Sequence, residues 1–223
     1  MTSDMHEYQV QIDKQEATPA QELNSVSRAE LKDILADLKT QATILYKKKF
    51  LKETEIQKIQ NFVILAVTCG LFICPRRSLD WTAFKLRDID NAKDNYMQDN
   101  TFVFNTYKTA KTYHQQVIKI PAALRKIILK WMTVNEGNCL FADTKGTPLN
   151  AVTLNQRLHV IFKQKISTTA LRRLHLTNEY GPLIALNDRL AADMQLMGSS
   201  TNVVNNYLKR KATSHAVSED ESS

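Results

Sequence analysis

Between Phe62 and Pro75 the chain runs through fourteen consecutive residues without a charge, FVILAVTCGLFICP. That is shorter than the roughly 18 apolar residues of a membrane span, so the run must be hidden inside protein. It predicts a buried helix that starts at Thr54, carries Phe62, Leu65, Ala66 and Cys69 inward, and stops at Pro75. A segment enclosed on all sides needs several other elements to cover it. The 223 residues, 43% of them hydrophobic, suffice for one medium domain with or without a small appendage.

The covering elements can be read by period. Ser27 and Glu30 form an S-x-x-E capping box ahead of a helical stripe at Leu31, Ile34, Leu35, Leu38, Ala42 and Leu45, and Lys47 to Lys49 suit the negative end of that helix. Leu79, Phe84 and Leu86 suggest a short helix and a turn. Two β-like runs, Thr101–Tyr107 and Gln115–Ile120, are joined by the polar segment KTAKTYH. Pro121 opens a helix with Leu124, Ile127, Ile128 and Trp131 on one face. TKGTPLN is a turn, and further helices are expected at about 150–164, 167–180, 186–197 and 200–210. Trp81, Trp131 and Phe141 are expected in the core. The sum is a mainly α fold with a small antiparallel β-sheet.

Charge divides the chain. Residues 1–30 carry −4 and residues 212–223 carry −3, which leaves +14 on residues 31–211. A basic body between acidic ends is the expected signature of a folded domain with loose tails and a polyanionic partner. The expected organisation is a disordered acidic tail at 1–25, a single helix at 26–50, the main domain at 51–211 and a second acidic tail at 212–223. Some chemistry is excluded by composition. The five glycines stand far apart, so neither G-x-G-x-x-G nor a P-loop can be written. Cys69, Cys74 and Cys139 make neither an even disulfide set nor a C-x-x-C pair, and the polar, acidic beginning does not read as a secretory signal. Asp88 and Asp90 lack a third carboxylate to make a metal site. An intracellular, metal-free protein without a cofactor or a membrane partner is expected.

Four separated groups fit one constellation. Arg77 follows the buried helix, with Asp80 three places on, Phe84 beyond it and Asp88-Ile89 closing the segment; Arg76 stands beside it. Lys108 ends the first β-like run, with Lys111 nearby. Thr169-Ala170-Leu171-Arg172 follows on a helix. Met197-Gly198-Ser199-Ser200 then turns into a segment bearing Tyr207. Over about residues 55–211 this order resembles the tyrosine recombinase (phage-integrase) family, in particular its catalytic domain. The resemblance implies that Tyr207 is the nucleophile, that Arg77 and Arg172 hold the phosphate, and that Lys108 is the acid. Thr169 stands where the family has His, and Gly198 or Ser199 where it has His or Trp. His175, Arg76 and Lys111 are auxiliary candidates, while Arg173, Lys209 and Arg210 are candidate DNA contacts.

The residue types suit the chemistry that the resemblance implies. A phenol that attacks a phosphodiester keeps the bond energy in a 3′-phosphotyrosine, so neither metal nor ATP is needed. Two guanidinium forks meet the growing charge on the non-bridging oxygens, and a lysine can protonate the departing 5′-oxygen. Double-stranded DNA is the implied partner, with dimers or tetramers assembled on it. A single helix at 26–50 implies weaker autonomous DNA binding than a full clamp would give. The implied activity is site-specific recombination or integration for a virus or mobile element, at a rate lowered by the missing His. The alternatives are a DNA-binding relative without catalysis and, further off, a nuclease or type IB topoisomerase-like enzyme.

Overall fold

The structure is a computed structural model that describes residues 18–196. Eight helices and four strands follow one another among them: α1 (Pro19–Leu23), α2 (Arg28–Leu45), α3 (Glu53–Thr68), α4 (Ser78–Thr82), β1 (Phe84–Lys85), β2 (Asn95–Gln98), β3 (Thr101–Phe104), α5 (Ala110–Tyr113), β4 (Gln116–Lys119), α6 (Ala122–Met132), α7 (Ala151–Phe162) and α8 (Thr168–Leu196). The architecture is mainly α with one small sheet, as the sequence predicts. By compactness the chain divides into unit 1–178 and unit 179–223. Every contact described below lies in the first unit. The described residues of the second continue α8.

The charge-free run does form the centre. In α3 the residues from Ile59 to Thr68 are buried except Asn61, so the helix is enclosed nearly all round. It packs on α2, α6 and α7. The buried Gln60 is satisfied by one backbone unit, donating to Ala142 O at 2.9 Å and accepting from Ala142 N at 3.0 Å, which removes the cost of hiding an amide. The helix stops at Thr68 rather than at Pro75, because Gly70 turns the chain at a φ of +77°. The capping box forms as expected, with Ser27 Oγ accepting from Glu30 N and the Glu30 carboxylate accepting from Ser27 N. Leu31, Leu35 and Ala42 of α2 join the core. Within the segment expected to be a tail, α1 forms, and Asn24 just after it accepts a hydrogen bond from Lys165 N at 3.1 Å.

The sheet has the order β1-β2-β3-β4. β2, β3 and β4 are antiparallel, with Phe102 opposite both Met97 and Ile118; β1 joins the edge in parallel, pairing Phe84 with Asn95. Trp81, Phe84, Phe102 and Phe104 make one ring cluster with centroids 5.3 to 6.1 Å apart, spacings at which edge-to-face contacts are favourable. Trp81, Trp131 and Phe141 are all buried. Other boundaries differ from the sequence reading as well. Phe84 begins a strand instead of continuing a short helix, since its backbone finds β2. The separate helices expected at 167–180 and 186–197 are one, with Pro182 inside it. The lost hydrogen bond and ring clash cost about 3 kcal/mol, against leucine- and alanine-rich flanks that favour continuation.

Candidate active site

The short α4 follows directly from the two arginines, and Asp80, on its first turn, is the point at which separated parts of the chain meet. The side chain of Asp80 is 5% exposed and that of Arg76 12%. Arg76 Nε donates to Asp80 Oδ2 at 2.8 Å and its Nη1 to Gln116 Oε1 at 2.7 Å. The same guanidinium lies 3.9 Å from the Phe104 ring centroid and 5.2 Å from that of Tyr107. Arg76 thus clamps α4 to the end of β3, the start of β4 and the loop between them.

Arg77 is exposed, and its backbone caps α4. Arg172 is half-buried on α8. Both lie close enough to Asp80 for their charges to favour its carboxylate, as does Arg76. Burial outweighs the three together and leaves the Asp80 pKa raised. Asp80 Oδ1 is buried and has no hydrogen-bond partner among the described residues. Three guanidinium groups from two distant segments therefore act on one buried acid, and among the described residues only Arg76 bonds to it.

Lys108 is reached through the same network. β3 ends at Phe104, so Lys108 sits in the following loop and not in the strand. That loop is fixed by the buried Asn95, which uses its full hydrogen-bonding capacity: Nδ2 donates to Asp80 O at 2.9 Å and Thr106 O at 2.7 Å, and Oδ1 accepts from Asn105 N at 2.9 Å and Thr106 N at 2.8 Å. Tyr107 is buried and donates its hydroxyl to His114 O at 2.6 Å. Lys108 is exposed on this anchored base, and Lys111 is exposed on α5.

The other candidates are dispersed. Thr169 is exposed in the first turn of α8, and Arg173 is half-buried. His175 lines a small cavity with Arg28, Leu31, Cys69, Gly70, Leu71, Leu174 and Asn178. Its Nδ1 lies 3.1 Å from where a Cβ on Gly70 would stand, so it packs against the end of α3. Burial pushes the neighbouring Cys69 thiol up to about 11, which makes it unreactive. Tyr207, Lys209 and Arg210, with Gly198 and Ser199, lie outside the described residues. Among the described residues no three His, Cys, Asp or Glu side chains group as metal ligands, and no helix is long and apolar enough to cross a membrane.

Three members of the site escape a motif reading. Asn95, Tyr107 and Gln116 are tied to it only by tertiary contacts. The i, i+4 spacing of Arg76 and Asp80 was the available signal for the clamp.

No family model matches the chain, and no curated protein matches it. Among solved structures it is similar to "Crystal structure of a lambda integrase dimer bound to a COC' core site", at 16% identity and a TM-score of 0.41 over 85% of this chain. The match takes in 51% of that chain, so this chain spans about half its length.

Proposed function

We propose that this chain is a site-specific DNA recombinase or integrase that cuts and rejoins strands through a covalent 3′-phosphotyrosine. The observation that supports this reading is that Arg77 and Arg172, from distant segments, both lie close enough to the buried Asp80 for their charges to favour its carboxylate. In this reading their guanidinium groups hold the non-bridging oxygens of the scissile phosphate, where preorganised charge counts most. Tyr207 Oη gives up its proton to solvent as it attacks phosphorus, the bond to the 5′-oxygen breaks, and Lys108 Nζ gives that oxygen its proton. The free 5′-hydroxyl of a partner strand attacks the phosphotyrosine in reverse and releases Tyr207. Arg76 has a supporting part in this reading, because its Nε and Nη1 are engaged by Asp80 and Gln116. Assembly as dimers or tetramers on paired sites, and service to a virus or mobile element, belong to the same proposal.

The test is a nicked or phosphorothiolate duplex, cut from the ends of the element that encodes the protein and incubated in EDTA. Wild type should leave a denaturation-resistant protein–DNA band, and Tyr207→Phe should leave none. Arg77→Gln and Arg172→Gln should each lower the rate of adduct formation about 100-fold or more. If wild type binds the duplex but leaves no adduct, the catalytic reading fails, and a DNA-binding relative without catalysis replaces it.

A further inference from the structure

The turn between α2 and α3 has no role in the site described above. Its sequence, Tyr46-Lys47-Lys48-Lys49-Phe50-Leu51-Lys52, puts four lysines around one phenylalanine. Phe50 is 81% exposed, more than any other large hydrophobic side chain among the described residues. Lys49 Nζ stands 5.6 Å from its ring centroid. Lys130, from the end of α6, brings a further ammonium to this face, 4.4 Å from the Tyr46 ring. Lys48 is spent on Glu55, and Lys52 also lies near that carboxylate. Lys47, Lys49 and Lys130 are exposed and have no acidic partner within ion-pair distance among the described residues.

An aromatic ring standing clear of the surface between unpaired ammonium groups is costly to leave in water and complementary to one kind of surface. It needs regularly spaced negative charges with flat apolar faces between them. Nucleic acid has that pattern, with phosphates for the lysines and a base or sugar face for the ring. The position of the turn adds a scale. It opens α3 while Gly70 closes that helix, and sixteen residues at helical rise separate the two ends by about 24 Å. His175, one helical turn after Arg172, packs at the Gly70 end. The turn is therefore on the order of seven base pairs of rise away from the arginine cluster.

We infer that this turn is a second, separate DNA contact, in which Lys47, Lys49 and Lys130 hold backbone phosphates while Phe50 packs against a base or deoxyribose between them. The inference rests on the proposed function for its choice of DNA as the partner, and it adds a contact outside the cluster of Arg77 and Arg172.

The experiment needs no target site, because nonspecific affinity is set by phosphate contacts and read from its salt dependence. The full chain is titrated with a labelled duplex of about 30 base pairs at several salt concentrations. Replacing Lys47, Lys49 and Lys130 together by Gln should lower the slope of log affinity against log salt by nearly 3. Phe50→Ala should weaken binding about tenfold with the slope unchanged. Phe50→Trp should keep wild-type affinity, and its fluorescence should be quenched by DNA. All four positions are exposed, and matched thermal midpoints check that the variants fold alike.

A lysine variant with the wild-type slope overturns the inference. If Arg77→Gln with Arg172→Gln lowers the slope in that case, the proposed function stands while this contact fails. Binding to phosphatidylserine vesicles that depends on Phe50, with DNA affinity unmoved by Phe50→Ala, assigns the turn to membranes and overturns the inference too. If wild type does not bind DNA at all, both readings fall. A lowered slope in the lysine variant, together with a suicide substrate that leaves no adduct, supports this contact and removes only the catalytic reading.

Discussion

The corner around Arg76 and the turn around Phe50 are both cationic and aromatic, yet they are held in opposite ways. At the corner the guanidinium is nearly buried, pairs with Asp80, donates to Gln116 and stacks on Phe104. At the turn the ring is open to water, and two of the three consecutive lysines have no acid beside them among the described residues. A cation held by bonds within the chain contributes to shape and is less free to turn toward a ligand. One whose bonds are unmade costs the fold nothing to redirect. The same contrast recurs within a single dipeptide, since Arg76 is locked and Arg77 beside it is exposed.

That contrast can be broken by substitution, beginning where the largest loss is expected. Asn95→Leu leaves two carbonyls and two N–H groups without their amide, and should cost about 4 kcal/mol in urea unfolding. A loss below about 1 kcal/mol would mean that the corner is not held by this network. Arg76→Met leaves Asp80 buried without its bonded partner and should cost about 3 kcal/mol at neutral pH. Its pH dependence has a definite sign. Burial already raises the folded-state pKa of Asp80, and removing Arg76 raises it further. The contribution of Asp80 is then fully present below its unfolded value of about 3.9 and is lost as pH rises through the folded one. The deficit of Arg76→Met relative to wild type should therefore grow from acidic to neutral pH, and a deficit independent of pH would separate Arg76 from Asp80.

Smaller effects sharpen the comparison. Gly70→Ala asks a side chain to take a φ of +77° and to press on His175 and the Pro75 ring. It should cost about 1 to 2 kcal/mol, read as a lowered thermal midpoint. The combined Gln replacement of Lys47, Lys49 and Lys130 should shift stability by no more than about 0.5 kcal/mol. A larger loss would show that the turn, like the corner, is built into the fold.

The parts of this architecture that could be read from sequence are those with a local cause. Ser27 and Glu30 announce the start of α2 because both halves of the capping box lie within one turn. The charge-free run announces α3 because no other placement hides it. β1 and β2 carry no such signal: two to four residues cannot show a period, and their strand character comes from pairing with each other and with β3. The site divides along the same line. Arg77, Lys108 and Arg172 could be nominated by residue type and order. The locked state of Arg76 depends on Gln116 and Phe104, residues that only the folded hairpin brings near. The motif's register favoured Arg77 over Arg76, but it carried no sign that Arg76 is held by Asp80, Gln116 and Phe104.

The hydrogen bond from Lys165 N to Asn24 Oδ1 also has a consequence for the order in which a growing chain can fold. Together with the pairing of Gln60 and Ala142, it fastens α3 and the residue after α1 to segments made 82 and 141 residues later. At about 5 to 20 residues per second, roughly 7 to 28 s pass between the appearance of Asn24 and that of its partner. During that interval α3, whose residues from Ile59 to Thr68 are nearly all buried in the finished fold, can be covered by α2 but not yet by α7. The nascent chain is therefore most vulnerable to aggregation, and most in need of a chaperone, in the stretch of synthesis before α7 emerges.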